Sequence, residues 1–339
     1  MNKLDRILET LRNELESGHY RIGDNFPSQY DLALRFDVNP KTANKAVSLL
    51  AAEGLLERQR RGQGTRVRAV HTLNRKSAIV FLGPLSTEYS VQALNGIQAR
   101  AMKENIFTIY STPMPQDLPE VLDKLENSGI RGIITTGYGK IQGRDIPIVH
   151  MDPPFVSSRC SCVTGENYQG GRDIVKAFLD RGHRDIISVF CDTVSAKRKQ
   201  GVIDALKDAG IPDAESRICS TLNYGIYETR LALKKLQKRF PRYTAVIAGT
   251  DLIALDVFRL LPELAPEKAG RIGLSGFGNL SGVNDLIAMA TVDQHPFQMG
   301  VAAAEMLFRL SDDKSRKSET EYIPMEVIRA DNIPIIRNR

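Results

Sequence analysis

Leu4, Ile7, Leu8, Leu11 and Leu15 recur at helical spacing, which predicts a first amphipathic helix over 4–15. Ser17-Gly18-His19-Tyr20 ends it, and Gly23-Asp24 forms a turn. Ser28 caps a second helix, with Asp31 three residues on as a shortened capping box and Leu32, Ala33 and Phe36 as its apolar positions. A third helix starts with Asn39 as N-cap and Pro40 at the first helical position. Its apolar stripe is Ala43, Ala46, Val47 and Leu50, and Gly54 stops it. Only Asp37-Val38-Asn39 separates helices two and three, which is helix-turn-helix spacing. Two short segments, 55–59 and 65–68, flank Arg60-Arg61-Gly62-Gln63-Gly64 and predict a hairpin with a basic tip. The pattern over 1–70 is that of a winged helix-turn-helix.

From 69 to 76 the chain is polar and basic without periodicity, and a linker is placed at 71–76. Beyond it the period alternates. Strands are expected over 77–82, 107–110, 132–135, 146–150, 185–190, 245–248, 272–275 and 289–292. Helices are expected over 91–104, 117–128, 170–181, 196–209, 227–240, 251–261 and 296–310. Such alternation predicts an α/β body with parallel sheets flanked by helices. It falls into two successive sets, hence two lobes. Lobe one is expected over 77–160 and 293–318, lobe two over 161–292 and 319–335. In open sheets of this kind a ligand crevice lies beyond the carboxyl ends of the strands.

Charge sharpens this division. The net charge of the 339 residues is +6, but residues 1–76 carry +5 and the rest only +1. Residues 40–76 alone carry +7. A short basic segment on a nearly neutral body points to an anionic polymer as partner. The first thirty residues are charged throughout, so no signal peptide is visible, and no run of about eighteen uncharged apolar residues occurs, so no membrane-spanning helix is expected. Cys160, Cys162, Cys191 and Cys219 lack zinc spacing and read as free thiols of a cytoplasmic protein.

The exposed face of helix three carries Lys41, Thr42, Asn44 and Lys45, placed to enter the major groove of double-stranded DNA, with Asn44 or Lys41 reaching base edges. Arg60, Arg61 and Arg66 lie on the wing near phosphates or the minor groove, where the glycines on either side of Gln63, Gly62 and Gly64, let the backbone approach. Ser28 and Tyr30, at the start of helix two, complete the DNA-facing set.

Enzyme signatures are missing. Gly137-Tyr-Gly139-Lys-Ile-Gln-Gly143 has the wrong dinucleotide spacing, and Gly132-Ile-Ile-Thr-Thr-Gly137 lacks the Lys-Ser/Thr of a phosphate loop. No Gly-x-Ser-x-Gly elbow occurs, and the five His are scattered. His183 reads as structural, and Cys160-Ser-Cys162 as a loop with two thiols. No catalytic residue, metal or cofactor is expected.

The first segment resembles the GntR family of bacterial transcription regulators. The resemblance covers about residues 3–68 and is carried by Gly18-His-Tyr-Arg-Ile-Gly23-Asp, Phe26-Pro27-Ser28, Leu32-Ala33, Val38-Asn39-Pro40-Lys41-Thr42, Lys45-Ala46, Leu50, Glu53-Gly54-Leu55-Leu56 and Gly62-Gln-Gly64-Thr65. Tyr30 stands where the family often has Arg, though it can still reach a phosphate. Asn39-Pro40 and Asn44 stand where it often has Ser-Arg and a further Arg. These departures shift weight onto Lys41, Asn44 and Lys45.

The body resembles the LacI/GalR regulators, whose core is similar to periplasmic sugar-binding proteins. The matches include Leu94-Asn-Gly96-Ile97, Gly129-Ile-Arg-Gly132-Ile133-Ile134, Ile146-Pro147-Ile148-Val149, Glu166-Asn167-Tyr-Gln-Gly170 and Arg181-Gly182-His183-Arg184. They continue through Arg198-Lys-Gln-Gly201, Thr250-Asp251-Leu-Ile-Ala254, Gly276-Phe277 and Thr291-Val292-Asp-Gln294. A GntR head on a LacI-like body is the arrangement of arabinose-repressor-type regulators. The resemblance implies effector-binding roles for Arg198, Thr250, Asp251 and Tyr224, and for Gln294, Glu166, Tyr89 and Ser195. Thr250 keeps only a hydroxyl where the family has Asn, and Gly278 replaces a carboxylate that often grips a sugar hydroxyl.

These features together define an effector-responsive DNA-binding repressor, with a small molecule, a sugar in the first place, bound between the lobes. A homodimer is expected, supported by apolar positions of helices 91–104 and 296–310. Two rivals remain open: a GntR head on a pyridoxal-dependent aminotransferase-like body, and a DNA-binding protein without ligand.

Overall fold

The computed structural model describes residues 3–16, 19–59, 64–68, 78–139, 141–153, 160–192, 196–313 and 317–336. The chain divides into two compact units, Met1–Ala78 and Ile79–Arg339. The linker expected at 71–76 lies outside the described residues.

The head contains α1 (Lys3–Glu16), β1 (Asn25–Phe26), α2 (Gln29–Phe36), α3 (Pro40–Ala52), β2 (Leu56–Arg58) and β3 (Thr65–Val67). Ser28 caps α2 by accepting from the N–H of Asp31, whose carboxylate accepts from Ser28 N–H in return. Asp37 takes a left-handed conformation (φ 48°) at the end of α2, a geometry Asp tolerates. Asn39 then caps α3 through Oδ1 on Lys41 N–H, 2.9 Å. Ile7, Leu11, Leu15, Leu32, Ala43, Ala46 and Leu50 bury one face of each helix, and Leu56 and Val67 seal the hairpin onto them. The short β1 joins β3 antiparallel and widens the wing to three strands, ordered β1-β3-β2. Two residues are too few for strand periodicity to show.

The first lobe of the body starts with β4 (Ala78–Leu82), α4 (Glu88–Met102), β5 (Phe107–Ser111), α5 (Leu118–Asn127), β6 (Ile133–Thr135), β7 (Ile148–Met151) and β8 (Ser161–Gly165). The chain then passes into the second lobe: α6 (Asn167–Asp180), β9 (Ile186–Cys191), α7 (Ala196–Asp208), β10 (Ile218–Thr221), α8 (Ile226–Arg239), β11 (Ala245–Ala248), α9 (Asp251–Leu264), β12 (Gly273–Phe277), α10 (Ser281–Asn284) and β13 (Ala290–Asp293). It returns to the first lobe for α11 (Pro296–Asp312) and β14 (Thr320–Ile323), and ends in the second with β15 (Glu326–Ile328).

Each lobe holds a six-stranded sheet, ordered β14-β8-β7-β6-β4-β5 and β10-β9-β11-β12-β13-β15. Pairing is parallel along β14-β8-β7-β6-β4 and along β10-β9-β11-β12-β13, whereas β15 runs antiparallel to β13. This moves the expected lobe boundaries. β8 and β14 pair inside the first sheet, so the chain crosses at Glu166 rather than 161 and recrosses after Ile323 rather than 318. The strands at 161–165, 218–221, 320–323 and 326–328 escape the sequence pattern because Ser, Thr, Cys and Glu interrupt their apolar positions. Cys162, expected in a loop, is therefore buried on β8. All four cysteines are free. His183 is fully buried and held at 2.9 Å by Thr244 Oγ1 and the Pro334 carbonyl.

Helix pairs cross closely where glycines meet backbone. A Cβ on Gly96 would strike the Phe297 carbonyl, and one on Gly300 that of Ala93, so α4 and α11 pack on each other within the first lobe. The apolar faces of 91–104 and 296–310, expected to support a dimer, are largely consumed by this internal contact. Gly171 and Gly201 lock α6 to α7 in the same way, against Arg198 and Tyr168 backbone.

Candidate functional site

On the head, α3 buries Ala43, Ala46, Val47 and Leu50 and turns Lys41 and Lys45 outward, with Thr42 and Asn44 partly covered between them. Tyr30 is 68% exposed at the start of α2. Ser28 is exposed, but its hydroxyl already serves the helix cap. Arg66 is exposed on β3, and the residues 60–63 expected at the wing tip (Arg60, Arg61, Gly62, Gln63) lie outside the described residues. Arg58 on β2, which the sequence reading passed over, hydrogen-bonds Asn44 and Ser48 of α3. Among the described residues no carboxylate pairs with Lys41, Lys45, Arg58 or Arg66, whereas Arg12 pairs with Glu53 and Arg35 with Glu14. The result is a local surface of uncompensated cations around α3 and the hairpin.

In the body, Arg198 on α7 is 3% exposed. Its Nε and Nη2 donate to Asn167 Oδ1 (3.0 and 2.8 Å), Nη1 to the Gly249 carbonyl (2.8 Å) and Nη2 to Gln294 Oε1 (2.7 Å). The guanidinium also lies over the Phe277 ring, 4.3 Å from its centroid. A buried cation needs such satisfaction, because desolvation disfavours its charged form. Desolvation does lower the Arg198 pKa, while Asp152, Tyr89, Tyr224 and Asp251 oppose it. Tyr89, Tyr224, Asp251 and Gln294 are thus gathered around Arg198.

Asp251 is fully buried at the first turn of α9. It accepts from Leu280 N–H (2.8 Å) and Thr291 Oγ1 (2.7 Å), yet burial still raises its pKa to about 6. Thr250 is the N-cap of α9, its hydroxyl accepting from Ile253 N–H at 3.3 Å. Glu166 is exposed at the first lobe crossing, and its N–H donates to Ile323 O across that crossing. Tyr224 is half exposed. Ser195 lies outside the described residues.

Across the crevice, the Tyr89 hydroxyl donates to Asp152 Oδ2 (3.3 Å) and Thr164 Oγ1 to Asp152 Oδ1 (2.9 Å). Burial first, then Asp152, pushes the Tyr89 pKa well up, so its phenol stays protonated. The lobes meet where the Glu88 carboxylate accepts from Ser281 N–H (2.9 Å) and Ser281 Oγ (3.0 Å). Beside this contact is a cavity of about 300 Å³, between Ser86, Thr87 and Glu88 of the first lobe and Leu252, Leu280, Gly282 and Val283 of the second. A larger cavity of about 710 Å³ lies beside the start of β7, around Ile146, Cys160 and Leu310, away from the Arg198 cluster. Asn167, Asp152, Phe277, Glu88 and Ser281 were missed from sequence. Asn167 and Phe277 left a trace there, inside the quoted Glu166-Asn167 and Gly276-Phe277 matches.

A three-helix head with a three-stranded wing and a two-sheet body crossed three times by the chain define the class. The head is similar to the gntR-family winged helix-turn-helix, and the body has a periplasmic-binding-protein-like fold that it shares with solved LacI-type structures. Residues 3–67 match the bacterial regulatory proteins of the gntR family, and residues 175–330 the periplasmic binding protein-like domain. Among proteins of known role, the chain is 22% identical to the arabinose metabolism transcriptional repressor of Geobacillus stearothermophilus, over 92% of this chain and 93% of that one. It is 22% identical to the HTH-type transcriptional repressor PurR of Histophilus somni, over 75% and 80%. Among solved structures, the complex of the transcriptional regulator CelR with cellobiose superposes with a TM-score of 0.64 at 18% identity, over 86% and 90%.

Proposed function

We propose that this protein is a bacterial transcription regulator, a repressor, whose binding to double-stranded operator DNA is controlled by a small polar effector held between the two body lobes. The observation that carries the reading is the Arg198 cluster. Arg198 belongs to the second lobe, while its partner Gln294 sits in the segment that crosses back to the first. A ligand that engages Arg198 therefore acts on the hinge. A sugar fits the donors and acceptors of the cleft, and the full-length likeness to an arabinose metabolism repressor and the cellobiose in the CelR complex support that class. Where α3 enters the major groove, Lys41 and Asn44 face bases, and Lys45, Tyr30 and Arg66 face phosphates.

The protein acts as a homodimer on DNA in the cytoplasm and catalyses no reaction. The edge strand β5 supports the dimer: Phe107, Ile109 and Tyr110 are exposed on it, a surface that a second copy would cover. An aminotransferase-like body is overturned by the two-sheet fold and its match to the periplasmic binding protein-like domain.

The test is selection of duplexes by the full-length protein, then titration of the selected complex with pentoses, hexoses, deoxysugars and sugar acids. Release by one sugar class is expected, along with a steep fall in affinity with salt. Binding indifferent to every ligand would leave a DNA-binding protein without a switch.

A further inference from the structure

The outer face of α3 carries a contact that changes what Asn44 can read. Arg58 Nη2 lies 2.7 Å from Asn44 Oδ1, 2.7 Å from Ser48 Oγ and 3.5 Å from the Asn44 carbonyl. Ser48 Oγ in turn donates to that carbonyl at 2.8 Å. Nη2 has two hydrogens, so the Asn44 and Ser48 oxygens take both. A guanidinium has no acceptor, which decides the orientation of the amide: Asn44 must turn its oxygen, not its NH2, toward Arg58. Asn44 Nδ2 has no acceptor among the described residues and remains as a donor.

A free asparagine reads adenine with both ends of its amide, accepting from N6 and donating to N7. One of the two lone pairs of Asn44 Oδ1 is thereby taken by a cationic donor, whose charge disfavours the approach of a second donor such as adenine N6. We propose that Arg58 is a specificity-determining positioning residue: by holding Asn44 Oδ1 and placing its positive charge there it biases Asn44 toward donating, which selects guanine, with its paired N7 and O6 acceptors, over adenine. The inference rests on the DNA reading proposed above. The three remaining N–H donors of Arg58 are left for a phosphate.

The experiment uses full-length protein and a duplex library with randomised half-sites, selected at one salt concentration and sequenced. Wild type is compared with Asn44→Ala, Asn44→Asp and Arg58→Met. Wild type is expected to select guanine at a position where Asn44→Ala relaxes. Arg58→Met frees the amide oxygen and shifts that position toward adenine by about tenfold, leaving other positions alone. Asn44→Asp keeps an acceptor for Arg58 but lacks the donor, so it loses guanine whether or not Arg58→Met folds. Three outcomes overturn the proposal: adenine preferred by wild type at the Asn44-dependent position, guanine retained by Asn44→Asp, or an equal loss for all sequences in Arg58→Met. Absence of any selected sequence overturns the DNA reading as well, which separates the two failures.

Discussion

Four of the five N–H donors of Arg198 end on protein oxygens, and one hydrogen of Nη1 is left for a ligand. Lysine keeps the charge there but cannot replace the fork. Arg198→Lys is expected to raise the effector's apparent Kd about tenfold or more by calorimetry, as the charged hydrogen bond from Nη1 is lost. An unchanged Kd would place the effector elsewhere. Asp251 supplies a pH dependence. Its carboxyl holds a proton more tightly in the folded protein, at about 6, than an ordinary aspartate does at 3.8. Its contribution to stability is therefore full below about pH 4 and lost as pH rises through about 6, by about 3 kcal/mol. Denaturant unfolding between pH 4 and 7 should show this loss in wild type and a flatter profile in Asp251→Asn.

Elements hold these side chains through backbone contact. α7 can place Arg198 against Asn167 because Gly171 and Gly201 let α6 and α7 touch backbone to backbone. Gly201→Ala puts a methyl group against the Tyr168 carbonyl. It is expected to cost about 1–3 kcal/mol in thermal unfolding and to weaken effector binding, since α7 must move. Binding unchanged in a destabilised variant would uncouple the helix pair from the site. The short elements behave differently. β1 and β15 take their place from a partner strand, Phe26 against Thr65 and Val327 against Val292, and not from their own periodicity.

At the scale of the body, lobe closure is held by Glu88 on Ser281. Glu88→Ala removes a charged acceptor of two bonds and is expected to open the ligand-free body, seen as a larger radius of gyration in solution scattering. Effector affinity should fall about fivefold or more with it. A wild-type scattering curve identical to that of the variant would deny the latch. For the assembly, Ile109→Glu places a charge on the exposed apolar edge of β5. It is expected to shift sedimentation from dimer to monomer without lowering the thermal stability of the body.

Local rules determined much of this protein. Ser28 starts α2, and Asn39-Pro40 and Gly54 set the limits of α3, because caps and breakers act within one turn of chain. The alternation of apolar runs placed eight body strands and seven helices to within a few residues, because each buries its own stripe. Which sheet β8 and β14 join, how deeply Arg198 is buried and which oxygens it meets were decided by the tertiary structure alone. So was the grip of Arg58 on Asn44. Those contacts join residues 10 to 158 positions apart, and a hydrogen bond between distant segments leaves no period in the sequence.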